Sequence, residues 1–395
     1  MSRRISPLRD FLKRESSSGI LLLIAAALGM FAANSPISSE YFDVLSLEFK
    51  VEALGIYLDM TILKAINYGL MTIFFLVVGL EIKRELTSGH LSKVRQAAAP
   101  LFAAIGGMAI PAIIYLIIAG DEAPEGWAIP VATDIALAVG VLSLMGSRVT
   151  HSLKSFLLAL AVIDDIGAIL IIAIVYSTGV IFSWLAGAVF AIAAVLFLQR
   201  LKVMNIAAYV LVGVILWYSL YRAGLHPTLA GVIMGILAPA TPIEDDDWSD
   251  DEDGVVTIVE RLEAKFHNLS VLFVVPVFAF ANSGVKINST SLNDAFLSPI
   301  AWGIVAGLVL GKPIGIYFAA KVAARAKLAE LPEGGGGLKL IATGSTAGIG
   351  FTVAIFIAKL AFDSGATQDL AVTAVIFGSI MSGLLSVLIF RFSRR

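Results

Sequence analysis

The residues best equipped for chemistry lie where an apolar chain should least tolerate them. The run Phe156-Leu-Leu-Ala-Leu-Ala-Val-Ile-Asp-Asp-Ile-Gly-Ala-Ile-Leu-Ile-Ile-Ala-Ile-Val carries Asp164 and Asp165 near its middle. Its 13 Leu, Ile, Phe and Val favour membrane insertion by about 4 to 8 kcal/mol, and two central aspartates oppose it by about 5 to 7 kcal/mol. Such a helix persists only if its carboxylates face protein, water or a cation. Neighbours on a helix project about 100° apart. One aspartate can therefore face a cavity while the other meets an adjoining helix.

Two more apolar runs bring in the remaining candidates. Trp127-Ala-Ile-Pro-Val-Ala-Thr-Asp contains Thr133 and Asp134, and Pro130 removes a backbone donor, which predicts a kink or break just before Asp134. Gly311-Lys-Pro-Ile-Gly contains Lys312, beside Gly303, Gly307, Gly311 and Gly315 at four-residue spacing, a smooth face for close helix packing. Its likeness to a phosphate loop is superficial, because Pro313 stands where Ser or Thr is required and the spacing is short. A long lysine at this depth either snorkels to the interface or serves the aspartates as their cation. A further run, Thr343-Gly-Ser-Thr-Ala-Gly-Ile-Gly-Phe-Thr, is too rich in glycine for a smooth helix.

The elements that must position these groups follow from composition. Of 395 residues, 58% are hydrophobic and 15% charged, with a mean hydropathy of +0.91. That is too little polar material to clothe a soluble globule, so the chain reads as an all-α integral membrane protein. Twelve or so apolar runs of about 17–25 residues begin near residues 19, 65, 96, 125, 155, 181, 205, 226, 266, 298, 339 and 371. On every second connection between them fall 22 of the 28 Lys and Arg. The excess places both termini in the cytoplasm and requires an even number of crossings. The fourth and eleventh runs, the interrupted ones, sit in the middle of helices three to five and ten to twelve. This is the pattern of an inverted repeat whose broken helices cross at the site.

The whole chain, 1–395, reads as one membrane domain. It has a basic N-terminal segment (1–18) without a cleavage signal, an external hairpin loop (36–58) and an acidic cytoplasmic loop (241–255). Within the hairpin loop, Leu45-Ser-Leu-Glu-Phe-Lys-Val-Glu alternates apolar and polar residues and predicts a strand near 45–52. An exposed strand with one apolar face fits a homodimer contact or a hairpin lying on its own helices, and the sequence leaves both open. The balance of 28 basic and 30 acidic residues excludes nucleic acid as a partner. The lack of cysteine excludes disulfides and thiolate ligands, and the four histidines have no metal-ligand spacing.

Six segments in order give the chain a family likeness: Phe74-Phe-Leu-Val-Val-Gly-Leu-Glu-Ile-Lys-Arg-Glu-Leu, Gly126-Trp-Ala-Ile-Pro-Val-Ala-Thr-Asp-Ile-Ala, Ala161-Val-Ile-Asp-Asp-Ile-Gly-Ala-Ile, Leu225-His-Pro-Thr-Leu-Ala-Gly-Val, Phe278-Ala-Phe-Ala-Asn-Ser-Gly-Val and Gly311-Lys-Pro-Ile-Gly. Over nearly its full length it resembles the NhaA family of bacterial sodium/proton antiporters. That family is a standard example of inverted-repeat transporters, so the repeat pattern and the resemblance are not independent.

The resemblance implies electrogenic export of Na+ or Li+ against entering protons, across the inner membrane, with no cofactor beyond the transported ions. It implies that Asp164 and Asp165 are the alternately protonated and sodium-loaded pair, with Thr133 as an oxygen ligand. Lys312 would be the partner of Asp164, and Asp134 would compensate the half-helix dipoles. It also maps a pH-sensing cluster to Glu81, Arg84, Glu85, Arg261, Glu263 and His267, with His226 linked to pH response. From composition alone, Glu81, Arg84, Glu85, Arg261 and Glu263 read as surface ion pairs. Three positions depart from the family pattern: Tyr68 for an aspartate, Glu260 for a basic residue and Ala264 where a histidine can occur. They bear on the pH set-point rather than on the transport chemistry.

Two rival readings remain. A proton-coupled solute symporter or cation channel of similar layout would respond to solutes rather than to Na+ and Li+. An intramembrane aspartyl protease needs two converging aspartates, which Asp134 and Asp164 could supply, but the chain has no Gly-Xaa-Gly-Asp motif.

Overall fold

The computed structural model describes residues 15–53, 56–92, 94–177, 179–203, 205–240, 242–244, 255–287, 297–363 and 365–393. The basic run 1–14 and the acidic run 245–254, the greater part of two expected connections, lie outside the described residues.

The chain opens with α1 (Glu15–Ala33) and α2 (Ser38–Ser46), which meet at 108° around Pro36. β1 (Glu48–Ala53) and β2 (Ile56–Thr61) form an antiparallel hairpin. Then come α3 (Ile62–Thr87) and α4 (Val94–Ala119). The tight 3-10 segment α5 (Pro124–Val131) is bent by 41° from α6 (Ile135–Leu144). Three long helices follow, α7 (His151–Ile174), α8 (Phe182–Arg200) and α9 (Ile206–Ala223), and then the short α10 (Leu229–Leu237). A second antiparallel pair, β3 (Pro242–Glu244) with β4 (Val255–Thr257), leads into α11 (Ile258–Asn282) and α12 (Pro299–Arg325). α13 (Gly337–Ala347) and α14 (Phe351–Ala361) make another bent pair, at 50°, before the final α15 (Ala366–Phe392).

Among the described residues, eight helices are long and apolar enough to cross a membrane, and the number rises to eleven if each bent pair is one span. The eighth expected run, near residue 226, yields only the nine residues of α10. Pro227 precedes that helix and Pro239 follows it, so it rises about 14 Å where the hydrocarbon core measures about 30 Å.

Two compact units divide the chain. The first comprises Met1–Asp43, Lys93–Ala168 and Ala279–Arg395. Its tightest packing joins α4 to α12, where Gly106 and Gly315 bring the two backbones together. A Cβ on either would collide with the carbonyl oxygen of the other.

The second unit comprises Val44–Ser92 and Ile169–Phe278. Leu80 of α3, Ala238 and Val259 of α11 form a small buried cluster there. The hairpin starts three residues later than the alternation predicts, because Leu45 and Ser46 still belong to α2. In its register Lys50 faces Asp59 directly, with an ion pair of 3.1 Å. The hairpin is tied to α9 of the same chain: Tyr57 N donates to Tyr218 Oη at 3.0 Å, and Tyr221 Oη donates to Asp59 O at 3.3 Å. Phe49 and Val51 remain exposed. Elsewhere in the unit, Thr257 ends β4 and also caps α11. Its hydroxyl accepts from Glu260 N while the Glu260 carboxylate accepts from Thr257 N, a reciprocal capping box.

The α4–α12 contact predicts the outcome of two substitutions. Gly106→Val forces side-chain atoms into the Gly315 carbonyl and should lower stability by about 1–3 kcal/mol. Gly140→Ala, where a Cβ has nothing within 4 Å, should be neutral or stabilising by up to about 1 kcal/mol. Thermal unfolding of the detergent-purified variants checks both.

Candidate functional site

Asp164 and Asp165 sit mid-way along α7, 0% and 5% exposed. Thr150 anchors the start of that helix by accepting from Leu153 N at 3.2 Å. Asp164 Oδ2 receives the Lys312 ammonium at 2.5 Å and lies 2.8 Å from Thr133 Oγ1. Its Oδ1 is buried and has no hydrogen-bond partner among the described residues.

Lys312 is itself wholly buried. α12 widens into a π-type turn over Gly307–Gly311 just before it. The widened turn accommodates Pro313, which brings no backbone donor to continue the helix. The glycine face against α4 then lets Lys312 reach inward rather than to an interface. From there its ammonium also donates to Thr133 Oγ1 at 3.0 Å.

Thr133 lies in the extended link between α5 and α6, after Val131 and before the cap residue Asp134. Its hydroxyl stands 2.8 Å from Asp164 Oδ2 and 2.8 Å from Ala347 O. A hydroxyl has one hydrogen to give and two lone pairs to receive, so it accepts from Lys312 and divides a single donor between those two oxygens. Ala347 is the last residue of α13, and its carbonyl is one of those a helix end leaves unpaired.

Asp134 joins the two breaks from the opposite electrostatic side. Its carboxylate caps α6 by accepting from Leu137 N at 3.0 Å. It also accepts from Thr352 N at 3.1 Å and Thr352 Oγ1 at 2.6 Å, in the first turn of α14. One buried negative charge thus serves the positive ends of two half-helices. The backbones meet as well, Asp134 N donating to Ile349 O at 2.6 Å. The bent pairs α5/α6 and α13/α14 are therefore mutual hydrogen-bonding partners.

Sequence reasoning passed over Thr352, Ala347 O and Ile349 O. A threonine two residues after Gly350 carries the signal of a first-turn hydroxyl, but backbone carbonyls have no signature in side-chain types.

The second expected cluster lies within the other unit. Arg84 Nη1 meets Glu263 Oε1 at 2.6 Å, and Arg84 Nη2 stands 3.8 Å from Glu85 Oε1. Glu81 is in electrostatic reach of Arg84, Glu85 and Glu263, as His267 is of Arg84. The composition-based reading as surface pairing is corrected for Glu263, which is 8% exposed and whose Oε2 has no partner among the described residues. Arg261 is on the exposed side of α11. His226 sits elsewhere in that unit, its Nε2 2.9 Å from Tyr176 O and its ring against Tyr68. Tyr68 packs on Tyr221, and its carbonyl accepts from Trp217 Nε1 at 3.1 Å.

Helices of membrane-crossing length that enclose a buried carboxylate–ammonium–hydroxyl group define a multi-pass membrane protein. A family model described as Na+/H+ antiporter 1 matches residues 9–390. The Na(+)/H(+) antiporters NhaA of Shewanella baltica (strain OS155) and Shewanella oneidensis are each 46% identical over 382 residues, covering 96% of this chain and 95% of theirs. That of Shewanella loihica has the same identity and coverage. The chain belongs to the Na+/H+ antiporter 1 family.

The buried pair predicts a compensation. Lys312→Met strands the Asp164 charge and should cost about 3–5 kcal/mol of stability. Adding Asp164→Asn removes the stranded charge and should recover most of that loss. Thermal unfolding of the single and double variants measures it.

Proposed function

We propose that this chain exchanges Na+ or Li+ for protons at Asp164 and Asp165, more protons entering than sodium ions leaving in each cycle. The observation that carries the reading is the Asp164 carboxylate, with one oxygen on Lys312 and Thr133 and the other unpartnered among the described residues. Sodium prefers hard oxygen ligands, which the two carboxylates, Thr133 Oγ1 and the Ala347 carbonyl can supply. A proton or a sodium ion arriving at Asp164 competes with the Lys312 ammonium and with the other cation. Deprotonation admits sodium and protonation expels it. Asp134 holds the helix N-termini steady without binding the ion.

This reading carries the finer architecture with it. Twelve spans, α10 with its flanks supplying the one that length does not credit, form inverted repeats whose broken members are α5/α6 and α13/α14. The bias of Lys and Arg towards alternate connections supports cytoplasmic termini in a bacterial inner membrane. Glu81, Arg84, Glu85, Arg261, Glu263 and His267 serve as the pH-responsive group, with His226 modulating it. The exposed Phe49 and Val51 of the hairpin provide a homodimer contact. No cofactor is required beyond the transported ions and the lipid bilayer.

Proton flux in inside-out vesicles energised by respiration tests the exchange. Addition of sodium or lithium chloride should collapse the proton gradient, potassium chloride should not, and Asp164→Asn and Asp165→Asn should each reduce the response to that of vesicles lacking the protein. Either variant keeping normal sodium-dependent exchange would overturn the competition mechanism. A gradient that answers to organic solutes but not to sodium would favour a symporter.

A further inference from the structure

Among the described residues no hydrogen bond joins the last helix, α15, to Asp134, Asp164 or Lys312, yet it bonds both sides of the α13/α14 break. Ser386 Oγ lies 2.6 Å from Thr346 Oγ1. Thr346 gives its own hydrogen to Ala342 O at 3.0 Å, so Ser386 is the donor of that pair. About two turns earlier on α15, Ser379 Oγ accepts from Phe351 N at 3.2 Å, one of the first-turn amides that α14 cannot satisfy internally. Ser382 falls between them on the same face, also buried, beside Gly348 and without a hydrogen-bond partner among the described residues.

The two bonded positions are the immediate chain neighbours of the two residues that meet the site. Thr346 precedes Ala347, whose carbonyl takes Thr133. Phe351 precedes Thr352, which donates twice to Asp134. With planar peptides and only two soft dihedrals per residue, fixing Thr346 and Phe351 leaves the Ala347 carbonyl and the Thr352 amide little freedom to turn. We propose that α15 is the clamp that sets the geometry of this break, with Ser379 and Ser386 acting as positioning residues for the ion site.

Serines spaced by three and four residues along a buried helix face otherwise serve only as small packing residues. Packing alone would make Ser382 equivalent to its two neighbours, whereas a hydrogen-bonded clamp separates them. That difference is what the experiment reads.

The transport readout rests on the sodium-exchange reading of the site, and a second readout does not. Ser386→Ala, Thr346→Val and Ser379→Ala are compared with Thr346→Ser, which keeps the hydroxyl, and with Ser382→Ala, which removes a hydroxyl that bonds to nothing described. In reconstituted vesicles the first three should raise the apparent KM for sodium about three- to tenfold with the maximal rate largely kept. Thr346→Ser and Ser382→Ala should behave as wild type, and Ser386→Ala combined with Thr346→Val should be no worse than either alone. Amide hydrogen exchange of the purified protein should be faster across residues 347–352 in Ser386→Ala, Thr346→Val and Ser379→Ala, with α4 and α12 unchanged. Equal KM shifts in Ser382→Ala and its neighbours, or unaltered exchange across 347–352, would overturn the clamp. Wild-type vesicles without sodium-dependent flux would overturn the transport reading instead, and the amide exchange would still decide the clamp.

Discussion

Everything near the site answers to one constraint, that a negative and a positive charge are held together where neither can reach water. Taking a carboxylate and an ammonium out of water costs several kcal/mol each. Only a short, well-made contact between them offsets that penalty. The Asp164–Lys312 contact at 2.5 Å meets the requirement, and the surrounding elements are shaped to permit it. The glycines at the α4–α12 crossing bring the lysine's helix close, and the widened turn at 307–311 leaves room for Pro313. A pair of this kind is poor at adding stability but well suited to exchange, because any cation entering the carboxylate must displace one already there.

The two bent helix pairs, α5/α6 and α13/α14, solve the complementary problem. An unbroken helix offers no free polar backbone, whereas a break at membrane depth exposes amides and carbonyls that must find partners or line a cavity. Here the partners come from the other break. Asp134 takes the amides of two helix starts, and the Ala347 carbonyl takes Thr133. The result is a small polar centre assembled from the two bent pairs with α7 and α12, in which Asp134, Asp164, Lys312, Thr133 and Thr352 supply most of the side-chain chemistry.

Much of this was legible in the sequence because membrane burial makes charge conspicuous. Asp134, Asp164, Asp165 and Lys312 stand out against apolar runs, and Pro130 and the glycines around 348 announce the bends in α5/α6 and α13/α14. The ammonium–carboxylate partnership followed from there being one cation for the aspartates. Less visible were features that depend on backbone groups or on where helices stop. The Ala347 carbonyl has no side-chain mark, α10 ends early between two prolines, and the hairpin begins only after α2 has used Leu45 and Ser46. Glu260 was readable and was passed over. It looks like a missing basic residue in a sensor cluster, yet Thr257-Ile-Val-Glu260 spells the helix start that it completes.

That helix start has a consequence for which lengths of chain this protein can tolerate. Thr257 is at once the last residue of a three-pair ladder with Pro242–Glu244 and the cap of α11, so no slack separates the closing of the acidic connection from the helix that carries Glu263. Between the ladder's two strands the chain is free to gain or lose residues, since doubling a loop adds only about 0.6 kcal/mol of closure entropy. Within Val255–Thr257 it is not: deleting one residue would shift the ladder's register, withdraw the threonine from the helix end and rotate Glu263 away from Arg84. Natural variation in length should therefore accumulate among the acidic residues and stop sharply at Val255.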